Sequence, residues 1–128
     1  MINIDLRSSQ PLYEQIIAQI KEMVVRGLLR PGDAIPSIRK LSVMTRINPN
    51  TVARAYQELE RMGIIETLTG RGTFIRESPH TQPDEATLAH ARELLRPPLM
   101  EMKLMKLSAE QIMREIGEVL RSLEGESK

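Results

Sequence analysis

A mainly α-helical fold with a small β wing is what this 128-residue sequence predicts. Three observations predict it. Apolar residues recur at helical spacing in three successive stretches of the first half. The third stretch is followed by two short β-prone runs separated by Gly70-Arg71-Gly72. A second set of helical repeats begins beyond a polar stretch, 77–83, that contains Pro79 and Pro83.

The first helix is predicted to follow Pro11 and run to residue 28 or 29. Leu12, Ile16, Ile17, Ile20, Val24 and Leu28 form its core face. Arg30-Pro31-Gly32-Asp33 forces a turn, because proline fixes φ and glycine accepts positive φ. Ala34-Ile35 is a short extended piece, and Pro36 clears the way for a new helix capped by Ser37. That helix, 37–45, is expected to bury Ile38, Leu41 and Met44.

Asn48 then caps a third helix, with Pro49 at the first helical position, where its missing N–H costs nothing. Its apolar stripe is Val52, Ala55, Tyr56, Leu59 and Met62, which leaves Asn50, Thr51, Arg54, Gln57 and Arg61 off the core. Gly63 ends it by accepting the left-handed conformation. The β-prone runs, 64–69 and 73–75, make a hairpin. The order helix, helix, turn, helix, hairpin is that of a winged helix-turn-helix.

The predicted division is a winged helix-turn-helix domain at 1–76, a linker at 77–83 and an α-helical dimerisation segment at 84–128. Asp84 caps a helix that Pro97 and Pro98 are expected to kink or break near Arg96. Beyond them Leu99, Met100, Met102, Leu104, Met105 and Leu107 lie almost all round the next helix. A chain this small cannot cover such a helix alone, so a second copy is the simplest cover. Ser108 with Gln111 makes a capping box for a last helix with the stripe Ile112, Ile116, Val119, Leu120 and Leu123. The expected dimer interface is therefore Leu99, Met102, Leu104, Met105, Ile112 and Ile116, with residues 125–128 fraying.

Composition narrows the function. Cysteine is absent, which removes disulfides, thiolate metal sites and cysteine nucleophiles and fits a reducing cytoplasm. No stretch reaches the roughly 18 apolar residues of a membrane span, so no membrane association is expected. Residues 1–76 hold 11 Lys and Arg against 7 Asp and Glu, whereas residues 77–128 hold 7 against 10. The first part suits a polyanion and the second does not.

A helix-turn-helix inserts its second helix into the major groove of DNA, with base-reading side chains near that helix's N-terminus and phosphate-binding groups around them. Asn48, Asn50, Thr51 and Arg54 occupy that position, and Arg39 opens the preceding helix. Asparagine pairs with adenine edges, and arginine forks onto guanine or phosphate. The tip Gly70-Arg71-Gly72-Thr73 offers a loop with one cation, suited to the minor groove. The expected DNA contacts are Arg39, Asn48, Asn50, Thr51, Arg54, Gly70, Arg71 and Thr73.

These residues also carry a resemblance. Pro11-Leu12-Tyr13-Glu14-Gln15-Ile16, residues 27–33, Ile35-Pro36-Ser37-Ile38-Arg39, Asn48-Pro49-Asn50-Thr51-Val52, Ala55-Tyr56-Gln57-Glu58-Leu59 and Gly70-Arg71-Gly72-Thr73-Phe74 resemble the GntR family over about the first 76 residues. The short helical tail resembles its YtrA-like branch, whose members use two C-terminal helices for dimerisation. The resemblance implies a winged-helix repressor that binds an inverted-repeat DNA operator as a homodimer. It matches Arg39 to the arginine opening the second helix, Thr51 to a phosphate-contacting threonine, and Gly70 with Arg71 to the wing tip. Many relatives carry arginine where this chain has Pro49 and Ala53, and Asn50 and Arg54 are the candidate replacements.

Competing classes fare worse. An enzyme would need a partnered catalytic or metal-binding set, and neither His80 in the linker nor His90 has one in the sequence, so no cofactor or metal is expected. A winged helix that grips another protein without reading DNA is the remaining alternative. The tail is too short to enclose a drug-sized pocket within one subunit, so any small-molecule effector would have to bind between subunits.

Overall fold

The computed structural model describes residues 2–77 and 84–124, so His80, nearly all of the expected linker and the expected fraying of 125–128 lie outside the described residues. The chain divides into two compact units, one carrying three helices and a sheet, the other two helices.

The first unit is built from α1 (Leu12–Val25), β1 (Ala34–Ile35), α2 (Ile38–Thr45), α3 (Pro49–Arg61), β2 (Ile65–Leu68) and β3 (Gly72–Ile75). α3 packs against α1, α2 and β2, which makes it the centre of the core. Ile16, Leu41, Val52, Leu59 and Ile65 are essentially sealed from solvent. Each such side chain contributes about 1.5–3 kcal/mol relative to exposure. The sheet order is β1-β3-β2, all antiparallel, so the two-residue piece predicted ahead of Pro36 is the third strand of the wing.

Local chemistry sets most boundaries as expected. Ser37, Asn48 and Ser108 cap their helices, and the last forms the full capping box with Gln111. α1 ends earlier than its apolar spacing suggests. Gly27 takes φ 80, its N–H bonds Val24 O and the N–H of Leu28 bonds Met23 O, a closure that stops the helix and leaves Leu28 47% exposed rather than in the core. α3 closes in the same way at Gly63, leaving Met62 at the surface. Ile38 and Met44 are likewise exposed, because the eight-residue α2 turns only Leu41 and Ser42 inward.

Two features were not anticipated. Ile47, in the turn between α2 and α3, is buried, and its carbonyl accepts the Ser42 hydroxyl at 2.6 Å. Residues 2–5 lie extended along α1. Gln15, itself buried, bonds both the N–H and the C=O of Asp5, and Gln19 does the same for Asn3. Ile2 and Ile4 thereby pack on the core.

In the second unit α4 (Glu85–Leu104) continues through Pro97 and Pro98, so of the expected kink or break near Arg96 the break does not occur. The carbonyls of Glu93 and Leu94, which lose their donors to these prolines, belong to exposed residues that water can reach. Lys106 (φ 68) closes α4 before α5 (Ala109–Ser122). Of the expected interface residues, Ile112 is buried within the chain, Leu99, Met102 and Ile116 are half-buried, and Leu104 and Met105 are exposed. No helix among the described residues is long and apolar enough to cross a membrane.

Candidate nucleic-acid interface

α3 is held from both ends and from beneath. Asn48 Oδ1 accepts the N–H of Asn50 at 2.7 Å, so this side chain is engaged as a helix cap. Val52, Ala55, Tyr56 and Leu59 face inward. Helical spacing then sets Asn50, Arg54 and Gln57, all exposed, on the face opposite that stripe, with half-buried Thr51 on its flank. Asn50 and Thr51 sit in the first turn, where polar side chains can meet a base edge or a phosphate.

The left-handed Arg46 (φ 60) and the Ser42–Ile47 bond set the turn that separates α2 from α3. Tyr56 ties the two helices together from below, its hydroxyl donating to Pro36 O at 2.6 Å, just ahead of the α2 cap. Burial pushes the Tyr56 phenol up to about 12. Arg39, in the first turn of α2, is exposed.

Arg54 lies with its guanidinium carbon 3.8 Å from the centre of the Tyr13 ring, a contact that local sequence patterns do not reveal. Arg61, further along α3, donates twice to Glu58 Oε1, at 2.7 and 3.1 Å. That bond, helped by the charges of Arg61 and Arg54, holds the Glu58 carboxyl below its usual range. Among the described residues Arg39, Arg54 and Arg71 form no ion pair.

In the wing, Arg71 N–H bonds Leu68 O at 2.8 Å and the flanking Gly70 (φ 78) and Gly72 (φ 116) take conformations that suit glycine. Arg71 is exposed at this tip. Thr73 is not part of the exposed set. It is only 7% exposed, because it pairs with Ile35 and Thr67 in the central strand and shares the inward face with Ile75. Two residues outside the expected contacts lie beside them, Gln57 on the outer face of α3 and Tyr13 against Arg54. Gln57 could have been found by its spacing from Arg54, whereas Tyr13 becomes visible only when α1 and α3 are packed.

Comparison with known proteins agrees with this fold. The family model described as bacterial regulatory proteins, gntR family, matches residues 12–75. The chain is 44% identical over its full length to the HTH-type transcriptional repressor YtrA of Bacillus subtilis (strain 168), covering 98% of that protein. Its fold matches the crystal structure of a protein described as a transcriptional antiterminator from Listeria monocytogenes EGD-e, with TM-score 0.89 and 37% identity over 100% of this chain and 96% of that one. YtrA from Sulfolobus acidocaldarius, a GntR-family transcription factor, aligns over 94% of this chain and 97% of its own, at TM-score 0.55 and 35% identity.

Proposed function

The chain belongs to the GntR family of bacterial regulatory proteins, and from that premise we propose that this DNA-binding transcriptional regulator is a repressor that binds an inverted-repeat operator as a homodimer. Its family is one of regulators, not enzymes.

The observation that carries the dimer is the unsatisfied apolar surface of the second unit. Leu94, Leu104, Met105, Met113, Val119 and Leu120 are each at least 60% exposed, while Ile112 is the one buried hydrophobic among the described residues of α4 and α5. Two helices with so little of their apolar surface covered are poor candidates for an independent monomeric unit, and a second copy of the same pair supplies the missing cover. A two-fold dimer presents its two α3 helices symmetrically, which calls for an operator of matching symmetry.

In this reading the winged domain spans 1–76 and the dimerisation segment 84–128, joined by the 77–83 linker. DNA is met by Asn50, Thr51 and Arg54 from α3, Arg39 from α2 and Arg71 with Gly70 from the wing, while Asn48 serves α3 mainly as its cap. The repressor YtrA, similar over its whole length, supports repression. The protein works in the cytoplasm, where its DNA is, and a small-molecule effector, where one acts, binds between subunits.

The test is binding of the purified protein to a fluorescent fragment of its own promoter beside an unrelated fragment, across a salt series, with the mass of the complex measured. Tight, promoter-selective binding that falls steeply with salt, at two chains per site, is the expected result. Equal binding to both fragments, followed by failure to enrich any palindrome from random DNA, would overturn it.

A further inference from the structure

Arg54 has an obvious ion-pair partner with which it forms no salt bridge. Glu58 stands four residues along the same helix, the spacing at which an arginine and a glutamate ordinarily meet. The Glu58 carboxylate is instead engaged by Arg61 through two N–H groups. Arg54 turns to α1 and lies over the face of Tyr13, 3.8 Å from the ring centre.

Tyr13 is a firm support for it. The residue is half-buried against the core at the start of α1, and its hydroxyl donates to Glu14 at 3.2 Å, which leaves the ring face to the arginine. The contact differs in kind from an ion pair. A ring face attracts the cation through its quadrupole and accepts none of the guanidinium N–H groups. Among the described residues Arg54 donates no hydrogen bond, so its planar fork is oriented while its donors stay available. An arginine already held in place loses less freedom when it meets its target than one that swings in solvent.

We propose that Tyr13 is a positioning residue for DNA recognition: its ring holds Arg54 ready to meet a phosphate or a guanine edge, while Arg61 engages one oxygen of the neighbouring Glu58 carboxylate. The inference rests on the reading of α3 as the helix that enters the groove.

The experiment is a double-mutant cycle on operator binding, with Tyr13→Leu, Tyr13→Phe, Arg54→Ala and the Tyr13→Leu/Arg54→Ala double variant, each checked for fold by thermal melting. Arg54→Ala is expected to weaken binding about tenfold or more, the scale of one good arginine contact. Tyr13→Leu should weaken it several-fold and Tyr13→Phe, which keeps the ring, less than about twofold. In the Arg54→Ala background Tyr13→Leu should have no further effect. A shallower salt slope in Tyr13→Leu assigns the phosphate, and relaxed preference at one base pair assigns guanine; a purely structural role moves neither.

Should Tyr13→Leu not fold, the wild-type protein answers by NMR, since the Tyr13 ring current shifts the Arg54 side-chain protons upfield and the shift should persist in the DNA complex. Its disappearance on binding, or a Tyr13→Leu defect undiminished in the Arg54→Ala background, overturns the positioning role while leaving α3 as the reading helix. Unchanged affinity in Arg54→Ala removes Arg54 from the DNA contacts altogether.

Discussion

The Tyr56 hydroxyl, on the helix proposed to enter the groove, donates a 2.6 Å hydrogen bond to the carbonyl of Pro36, the residue ahead of the α2 cap. One bond thus joins the third helix to the start of the second from the buried side.

Tyr56→Phe should destabilise the protein by about 1–2 kcal/mol, since the Pro36 carbonyl loses a donor in a place with little water. The same phenol makes stability pH-dependent. It ionises near 10 in the unfolded chain and about 12 in the folded one. Between those values the unfolded chain has released a proton that the native chain retains, so its contribution is complete below pH 10 and fades as pH rises toward 12. Urea denaturation across this range should show wild-type stability falling more steeply than that of Tyr56→Phe. Parallel curves would mean that the phenol is not protected.

Arg39→Ala and Arg71→Ala should each weaken operator binding and lower the slope of log K against log salt by about one, with the melting temperature unchanged. Both side chains are exposed and, among the described residues, make no ion pair whose loss could disturb the fold. Thr73→Val, at a buried position, should leave affinity within about twofold of wild type, because it removes no groove contact. A large loss of DNA binding in Thr73→Val without a loss of stability would return that residue to the interface.

Charged residues in place of Leu104 and Met105, which are 76% and 64% exposed, should produce monomers that bind the operator far more weakly. Light scattering with the binding assay reads both effects. A variant that stays dimeric would move the interface away from the end of α4.

Gly63→Ala should cost about 1–2 kcal/mol, read as a drop of roughly 4–8 °C in melting temperature per kcal/mol. The cause is backbone conformation, since φ is +80 and, among the described residues, an added Cβ would meet only Arg76 Nη1, at 3.6 Å. An unchanged melting temperature would show that α3 can end without a left-handed residue.

Much of the fold is legible in short stretches of chain. Ser37, Asn48 and Ser108 announce helix starts because a cap needs only its own side chain and the next two or three amides. Gly63 announces a stop for an equally local reason. Where spacing and a stop signal conflicted, the stop won: Leu28 continued the apolar repeat of α1, but the two bonds that close the helix around Gly27 turned it outward. Pro97 and Pro98 do not break α4 as they could have, because one cost of a proline is a missing donor, and an exposed helix can leave the orphaned carbonyls to water.

By itself, then, the sequence determined the order of elements, the caps and the polar face of α3, since each is written in contiguous residues or in one helical period. Only the tertiary structure decided that Thr73 points into the core, that Ala34-Ile35 joins the wing sheet, and that Arg54 rests on Tyr13. These outcomes depend on how segments far apart in the chain are packed against one another, and no local periodicity carries that information.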